Sequence, residues 1–164
     1  MTDLVTDLLW SERLTVLCHP RVAAAQRGQN LAAFIEANEI VHIRLADQPR
    51  HFLWLQFARQ LGLEKLDVER GLVVDTAVLA AQYALCGQGI ALVDPNLFAE
   101  EIGAGRLVRP FEATLDAGYG YYLTTQPEGL GDTAIALFRS WLIERFGMRA
   151  AVATPPVQLA VSNE

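Results

Sequence analysis

The chain has 164 residues, 52% of them hydrophobic, and a mean hydropathy of +0.21, which is the apolar content of one folded domain. A formal charge of −6 and a pI near 5.0 argue against a free-standing nucleic-acid binder, which needs a basic stripe to displace phosphate counterions. Arg106 and Arg109 stand close together, but Glu100, Glu101 and Glu112 offset them. One disulfide between Cys18 and Cys86 is compatible with the count. Two thiols behind an N-terminus with no basic or long apolar leader more simply indicate a reducing compartment, so a cytoplasmic location is expected. No apolar run reaches membrane-spanning length.

In chain order, Met1 to Glu12 reads as an acidic and apolar lead, and Leu14 to Cys18 as a strand ended by His19-Pro20. Pro20 suits a first helical turn, so Arg21 to Gln26 is expected to be helical, and Gly28 breaks it. Asn30 is placed to cap a helix from Leu31 to Ala37. Ile40 to Leu45 alternates as a strand, with His42 and Arg44 expected to point outward. A polar loop, Ala46 to His51, precedes an amphipathic helix from Phe52 to Leu61, which Gly62 ends.

The stretch from Leu72 to Phe111 organises the chain. Leu72-Val73-Val74 is a β-branched run, and Asp75-Thr76 is suited to cap the helix Ala77 to Cys86, with Asp75 preferred as the cap. That helix is expected to pack Val78, Ala81 and Leu85 as its main stripe, with Ala77, Ala80 and Ala84 beside it. Gly87-Gln88-Gly89 then turns into the strand Ile90 to Val93. These glycines follow a helix and precede a strand, and Leu92 stands where a third glycine would be needed, so they form a turn and not a dinucleotide loop. Two strand–helix–strand passages before Leu107 predict an α/β fold with a mostly parallel sheet and flanking helices.

Beyond Phe111, a polar turn from Glu112 to Gly118 leads to the aromatic strand Tyr119 to Thr125. Asp132 caps a last helix on which Ala134, Leu137, Phe138, Trp141, Leu142 and Arg145 share a face and which Gly147 is expected to stop. Trp10, Trp54 and Trp141 are all expected in the core. Residues 148–164 carry no convincing period.

The wording AAQYALCGQGIALVDPNLFAEEIGAGRLVRPF, from Ala80 to Phe111, resembles the effector-binding domain of LysR-type transcriptional regulators, especially their glycine-cleavage-activator branch. Glu12-Arg13-Leu14, Cys18-His19-Pro20, Ile40-Val41-His42, Tyr121-Tyr122-Leu123 and Phe138-Arg139-Ser140-Trp141-Leu142 continue the likeness in order. The resemblance implies a type 2 periplasmic-binding-protein-like fold, truncated at its N-terminus. On it, residues 1–118 are mainly the second subdomain with an incoming crossover strand. Residues 119–147 are the return strand and closing helix of an incomplete first subdomain, and 148–164 a loosely ordered tail. With their sheet neighbours missing, the strand at Tyr119 and the helix at Phe138 are expected to expose an edge and an apolar face. It also implies that DNA is contacted only through a winged helix-turn-helix absent from this chain. The expected partners are a small organic effector, a carboxylate or an amino acid, and a second copy of the chain, with no membrane.

Chemistry concentrates at two strand-to-helix turns. Ligands of open α/β sheets sit at the carboxyl ends of strands, near free helix N–H groups, and the resemblance implies an inducer cleft built from these same turns. The candidate ligand-binding residues are Pro49, Arg50, His51 and Thr76: Arg50 is suited to pair with a carboxylate, and Thr76 to donate a hydroxyl or backbone N–H. The bland alternative leaves Arg50 as a solvated charge. No catalytic residue is assigned. Ser11, Ser140 and Ser162 lie in no Gly-x-Ser-x-Gly context, and Cys86 is expected to be buried packing. His19, His42 and His51 lack metal-ligand spacing, so neither metal nor cofactor is expected. Two other functions stay open: a solute-binding protein of the same fold, and a truncated regulator that acts by pairing with an intact relative.

Overall fold

The computed structural model describes residues 4–151. They divide into two compact units, one formed by Glu12–Ala117 and the other by the chain before Glu12 and from Gly118 onward. The elements are β1 (Val5–Cys18), α1 (Pro20–Ala25), α2 (Leu31–Glu36), β2 (Ile40–Ile43), α3 (Phe52–Gln60), β3 (Leu72–Val74), α4 (Ala77–Leu85), β4 (Ile90–Val93), α5 (Ala99–Gly103), β5 (Thr114–Thr125) and α6 (Thr133–Ala151). Single 3-10 turns at Pro95–Phe98 and Pro127–Gly131 precede α5 and α6. The sheet order is β3-β2-β4-β1-β5. β2 runs parallel to both β3 and β4, while β4 pairs antiparallel with β1, so the sheet is mixed.

In the Glu12–Ala117 unit, strand alternation sorts side chains onto two covered faces. Val16, Cys18, Ile40, Ile90 and Leu92 face a core closed by Phe34 and Ile35 of α2 and Leu53, Trp54 and Phe57 of α3. Leu17, Val41, Ala91 and Val93 face the other side, which Ala80, Ala81 and Ala84 of α4 cover together with Phe98 and Leu107. The Trp54 indole N–H donates to the Val41 carbonyl at 2.8 Å, so the largest buried side chain also satisfies its polar atom.

Two glycines bring backbones together. A Cβ on Gly89 would lie 2.4 Å from the Glu39 carbonyl oxygen, and one on Gly71 (φ +112°) would lie 2.2 Å from that of Ile40. Both open strands that pair with β2.

Several expectations change. β1 begins at Val5, so the lead before Leu14 is strand, and β5 begins at Thr114, inside the expected polar turn. His42 is buried, because β2 is an inner strand with helices on both sides, and a polar residue there turns to a backbone carbonyl instead of water. On α4 the alanines form the core face and Val78 is 58% exposed: small side chains let the helix approach Ala91 closely. Cys86 is exposed, while Cys18 is fully buried. Burial raises the Cys18 thiol to about 11, against a bond to the Ala23 backbone that lowers it.

In the other unit, Trp10 stacks on Tyr121 at 4.2 Å and on Phe146 at 5.1 Å between ring centroids. Arg139 grips Asp7 through Nε at 2.8 Å and Nη2 at 2.5 Å. α6 is capped by Asp132, whose Oδ1 accepts from Ala134 and Ile135 amides, and it runs past Gly147 to Ala151. Its covered side carries Ala136, Arg139, Leu142, Ile143 and Phe146. Leu137, Phe138 and Trp141 are all more than half exposed, so α6 carries an open apolar face and Trp141 is not in the core as expected, while Leu142 of the same expected face lies on the covered side. The expected loose tail lies, beyond Ala151, outside the described residues. No helix among those residues is long and apolar enough to cross a membrane.

Candidate functional site

β2 and β3 end side by side, and the Arg44 amide extends their pairing by donating to the Val74 carbonyl at 2.8 Å. The chain leaves β2 through a loop that reaches α3, and leaves β3 through Asp75 into α4. These departures border an open depression lined by Arg44, Leu45, Ala46, Asp47, Gln48, Arg50, Val73 and Asp75. Asp47 holds the loop in a left-handed conformation (φ +59°), which aspartate tolerates better than most non-glycine residues.

Of the four residues expected to bind ligand, Arg50 lines this depression. Pro49 and His51 flank it in sequence and serve the start of α3: the Pro49 carbonyl accepts from the Phe52 amide at 3.0 Å, and the His51 carbonyl from Leu55 at 2.9 Å. His51 makes no side-chain cap. Thr76, beside Asp75, is the N-cap of α4, where its Oγ1 accepts from the Leu79 amide at 3.2 Å. The hydroxyl keeps its own hydrogen for a further acceptor. The expected cap, Asp75, pairs instead with Arg44, Oδ1 to Nε at 3.4 Å, with both side chains about 70% exposed. Such a pair stabilises little in water, so a ligand can displace either partner at low cost.

The two arginines of the depression therefore differ. Arg44 already has a carboxylate, whereas Arg50 gives one hydrogen bond, from Nη2 to the Glu69 carbonyl, and has no acidic partner among the described residues. Sequence reasoning did not single out Arg44, Asp75 or the 45–48 segment as lining a depression with Arg50. Their signal was position at the carboxyl ends of adjacent parallel strands, which becomes visible only with the pairing. No group of three or more His, Cys, Asp or Glu able to hold a metal ion occurs among the described residues.

Comparison with known proteins agrees with this architecture. The chain is similar to the glycine cleavage system transcriptional activator of Escherichia coli (strain K12), 29% identical over 139 residues, covering 85% of this chain and 44% of that protein. It is also similar to the HTH-type transcriptional activator AmpR of Pseudomonas aeruginosa, 31% identical over 143 residues, covering 87% and 45%. The chain thus spans less than half the length of the curated relatives it matches. Among solved structures, the effector domain of Pseudomonas aeruginosa AmpR superposes with a TM-score of 0.67 at 29% identity, covering 90% of this chain and 68% of that one. The Citrobacter freundii AmpR effector binding domain shares the fold at a TM-score of 0.68 and 23% identity. The LysR substrate binding domain family matches residues 1–147. The chain belongs to that family.

Proposed function

We propose that this domain senses a small organic effector carrying a carboxylate, and that an amino acid fits best. The observation that carries the reading is the meeting of opposite charges in one depression: Arg50 has no acidic partner among the described residues, while Asp75 sits across a weak, solvated pair with Arg44. A zwitterion offers its carboxylate to Arg50 and its ammonium to Asp75, and the Thr76 hydroxyl can donate to the same carboxylate. Pro49 and His51 shape the loop that carries Arg50. A simple dianion would meet Asp75 unfavourably.

On this reading the protein is non-catalytic and acts in the cytoplasm, where Cys18 and Cys86 remain thiols. The longer relatives are named transcriptional activators. We take the effector to bias one arrangement of subunits, with DNA contacted through a winged helix-turn-helix outside these residues. Residues 1–118 would act mainly as the second subdomain of the family fold and 119–147 as part of the first. Self-association fits the open α6 face of Leu137, Phe138 and Trp141, an apolar patch that water disfavours.

The test is a titration of the isotope-labelled chain with a panel of amino acids and small organic acids, followed through backbone amide shifts. The reading expects saturable shifts at residues 44–50 and 75–77 for at least one amino acid. A panel that leaves those amides unmoved at millimolar concentration contradicts it.

A further inference from the structure

Arg50 is seated on the segment Asp67–Gly71, and Arg70 anchors that segment. The Arg70 guanidinium spans the C-terminal end of α2: Nη1 donates to the Asn38 carbonyl at 2.7 Å, and Nη2 to those of Ile35 at 2.6 Å and Glu36 at 3.1 Å. The Ile35 carbonyl also accepts from the Asn38 amide at 3.2 Å, so Arg70 joins the last turn of α2 to the residue just past its cap, and the side chain has a structural task that withdraws it from any ligand. The Arg70 carbonyl in turn accepts from His42 Nε2 at 2.7 Å. Gly71 follows with its backbone against the Ile40 carbonyl. One step earlier, the Glu69 amide donates to Asp67 Oδ1 at 3.1 Å and the Glu69 carbonyl accepts from Arg50. Arg70 is therefore tied to α2 through its side chain and to β2 through its carbonyl, and the carbonyl of the Glu69–Arg70 peptide just before it holds the candidate effector arginine.

We propose that Arg70 is a positioning residue for effector binding: by fixing the Glu69–Arg70 peptide on α2, it makes the Glu69 carbonyl a rigid seat for Arg50. This rests on the reading of Arg50 as the effector-binding cation. A guanidinium recognises a carboxylate with a planar fork, and its benefit depends on the plane being set beforehand. One N–H of Arg50 is spent on the seat, and the remainder carry no protein partner among the described residues. A lysine at position 70 keeps the charge but lacks the fork that reaches three carbonyls.

The experiment is arginine side-chain 15N–1H spectroscopy on the whole 164-residue chain, with acetate as the minimal carboxylate probe. The proposal expects resolved Arg50 Nη signals, because rotation about the Nε–Cζ bond is hindered. In Arg70→Lys those signals average while backbone amides of α4 and β4 keep their positions, and acetate moves Arg50 Nε about 3- to 10-fold less tightly. Averaged Nη signals in the unmodified chain overturn the proposal, and so do unchanged Arg50 signals in a folded Arg70→Lys. If Arg70→Lys does not fold, the unmodified chain decides alone. If acetate leaves a resolved Arg50 unmoved, the effector reading fails while the seat stands.

Discussion

His42 donates from Nε2 to the Arg70 carbonyl at 2.7 Å, and its buried Nδ1 has no partner among the described residues. A second proton would put a charge in the core with nothing to receive its hydrogen. Burial holds the His42 pKa below the usual 6.5; the Arg70 carbonyl is the next largest influence and opposes it, followed by the lowering effects of Arg50 and His51 and a last upward one from Glu39. The unfolded chain then binds the proton more readily than the folded one. The stabilising contribution of neutral His42 is present above about 6.5 and is lost as pH falls through the folded value. Urea midpoints should drop between pH 7.5 and 5.5, and His42→Gln should show a smaller drop. An equal drop in the variant would remove His42 as the cause.

The two thiols should separate kinetically. Cys86 is exposed, and Cys18 is buried with its thiol raised to about 11. At pH 8 an aromatic disulfide reagent should label one thiol quickly in the folded chain and two in denaturant. Cys86→Ser should abolish the fast phase. A fast phase that survives that substitution would show that Cys18 is accessible.

Glycine substitutions should differ by what surrounds them. Gly62 and Gly71 both have positive φ, but a Cβ on Gly62 meets nothing within 4 Å. Gly62→Ala should cost about 1–2 kcal/mol from the left-handed backbone alone. Gly71→Ala adds a collision with the Ile40 carbonyl and should cost more than about 3 kcal/mol or prevent folding. Denaturant titrations of both variants make the comparison.

Trp54 and Trp141 share a residue type and differ in environment. Trp54 is 1% exposed and hydrogen-bonded, so Trp54→Ala should destabilise by about 3–5 kcal/mol. Trp141 is 51% exposed, stacked on Phe138 with Arg145 over its ring. Phe138→Ser with Trp141→Ser should shift the chain toward monomer in light scattering behind size exclusion, with stability per monomer changed by about 0.5 kcal/mol or less. An unchanged mass distribution, or a monomer in the unmodified chain, would contradict self-association through α6.

The readable parts of the sequence were those with local causes. Asn30 and Asp132 cap helices through bonds within three residues, and Gly62 and Gly87 end helices in left-handed conformations. The apolar face of α3 followed from its spacing. What escaped depended on neighbours distant in sequence. His42 is inside because β3 and β4 flank β2, and Val78 is outside because β4 presents Ala91 to an alanine face. Arg50 could be named from its turn, but Arg44 and Asp75 joined it only once β2 and β3 were paired in register. On α6 the exposed apolar face at Phe138 was legible, but Trp141 was expected in the core and is 51% exposed.

The central claim is that Arg50 binds the carboxylate of an amino-acid effector. Calorimetric titration of the chain and of Arg50→Ala, using the amino acid that gives the largest amide shifts, tests it most directly. A charge-assisted hydrogen bond contributes about 1.5–3 kcal/mol, so Arg50→Ala should bind roughly 10- to 100-fold more weakly while unfolding at the same denaturant concentration. Equal affinity in the folded variant would contradict the account.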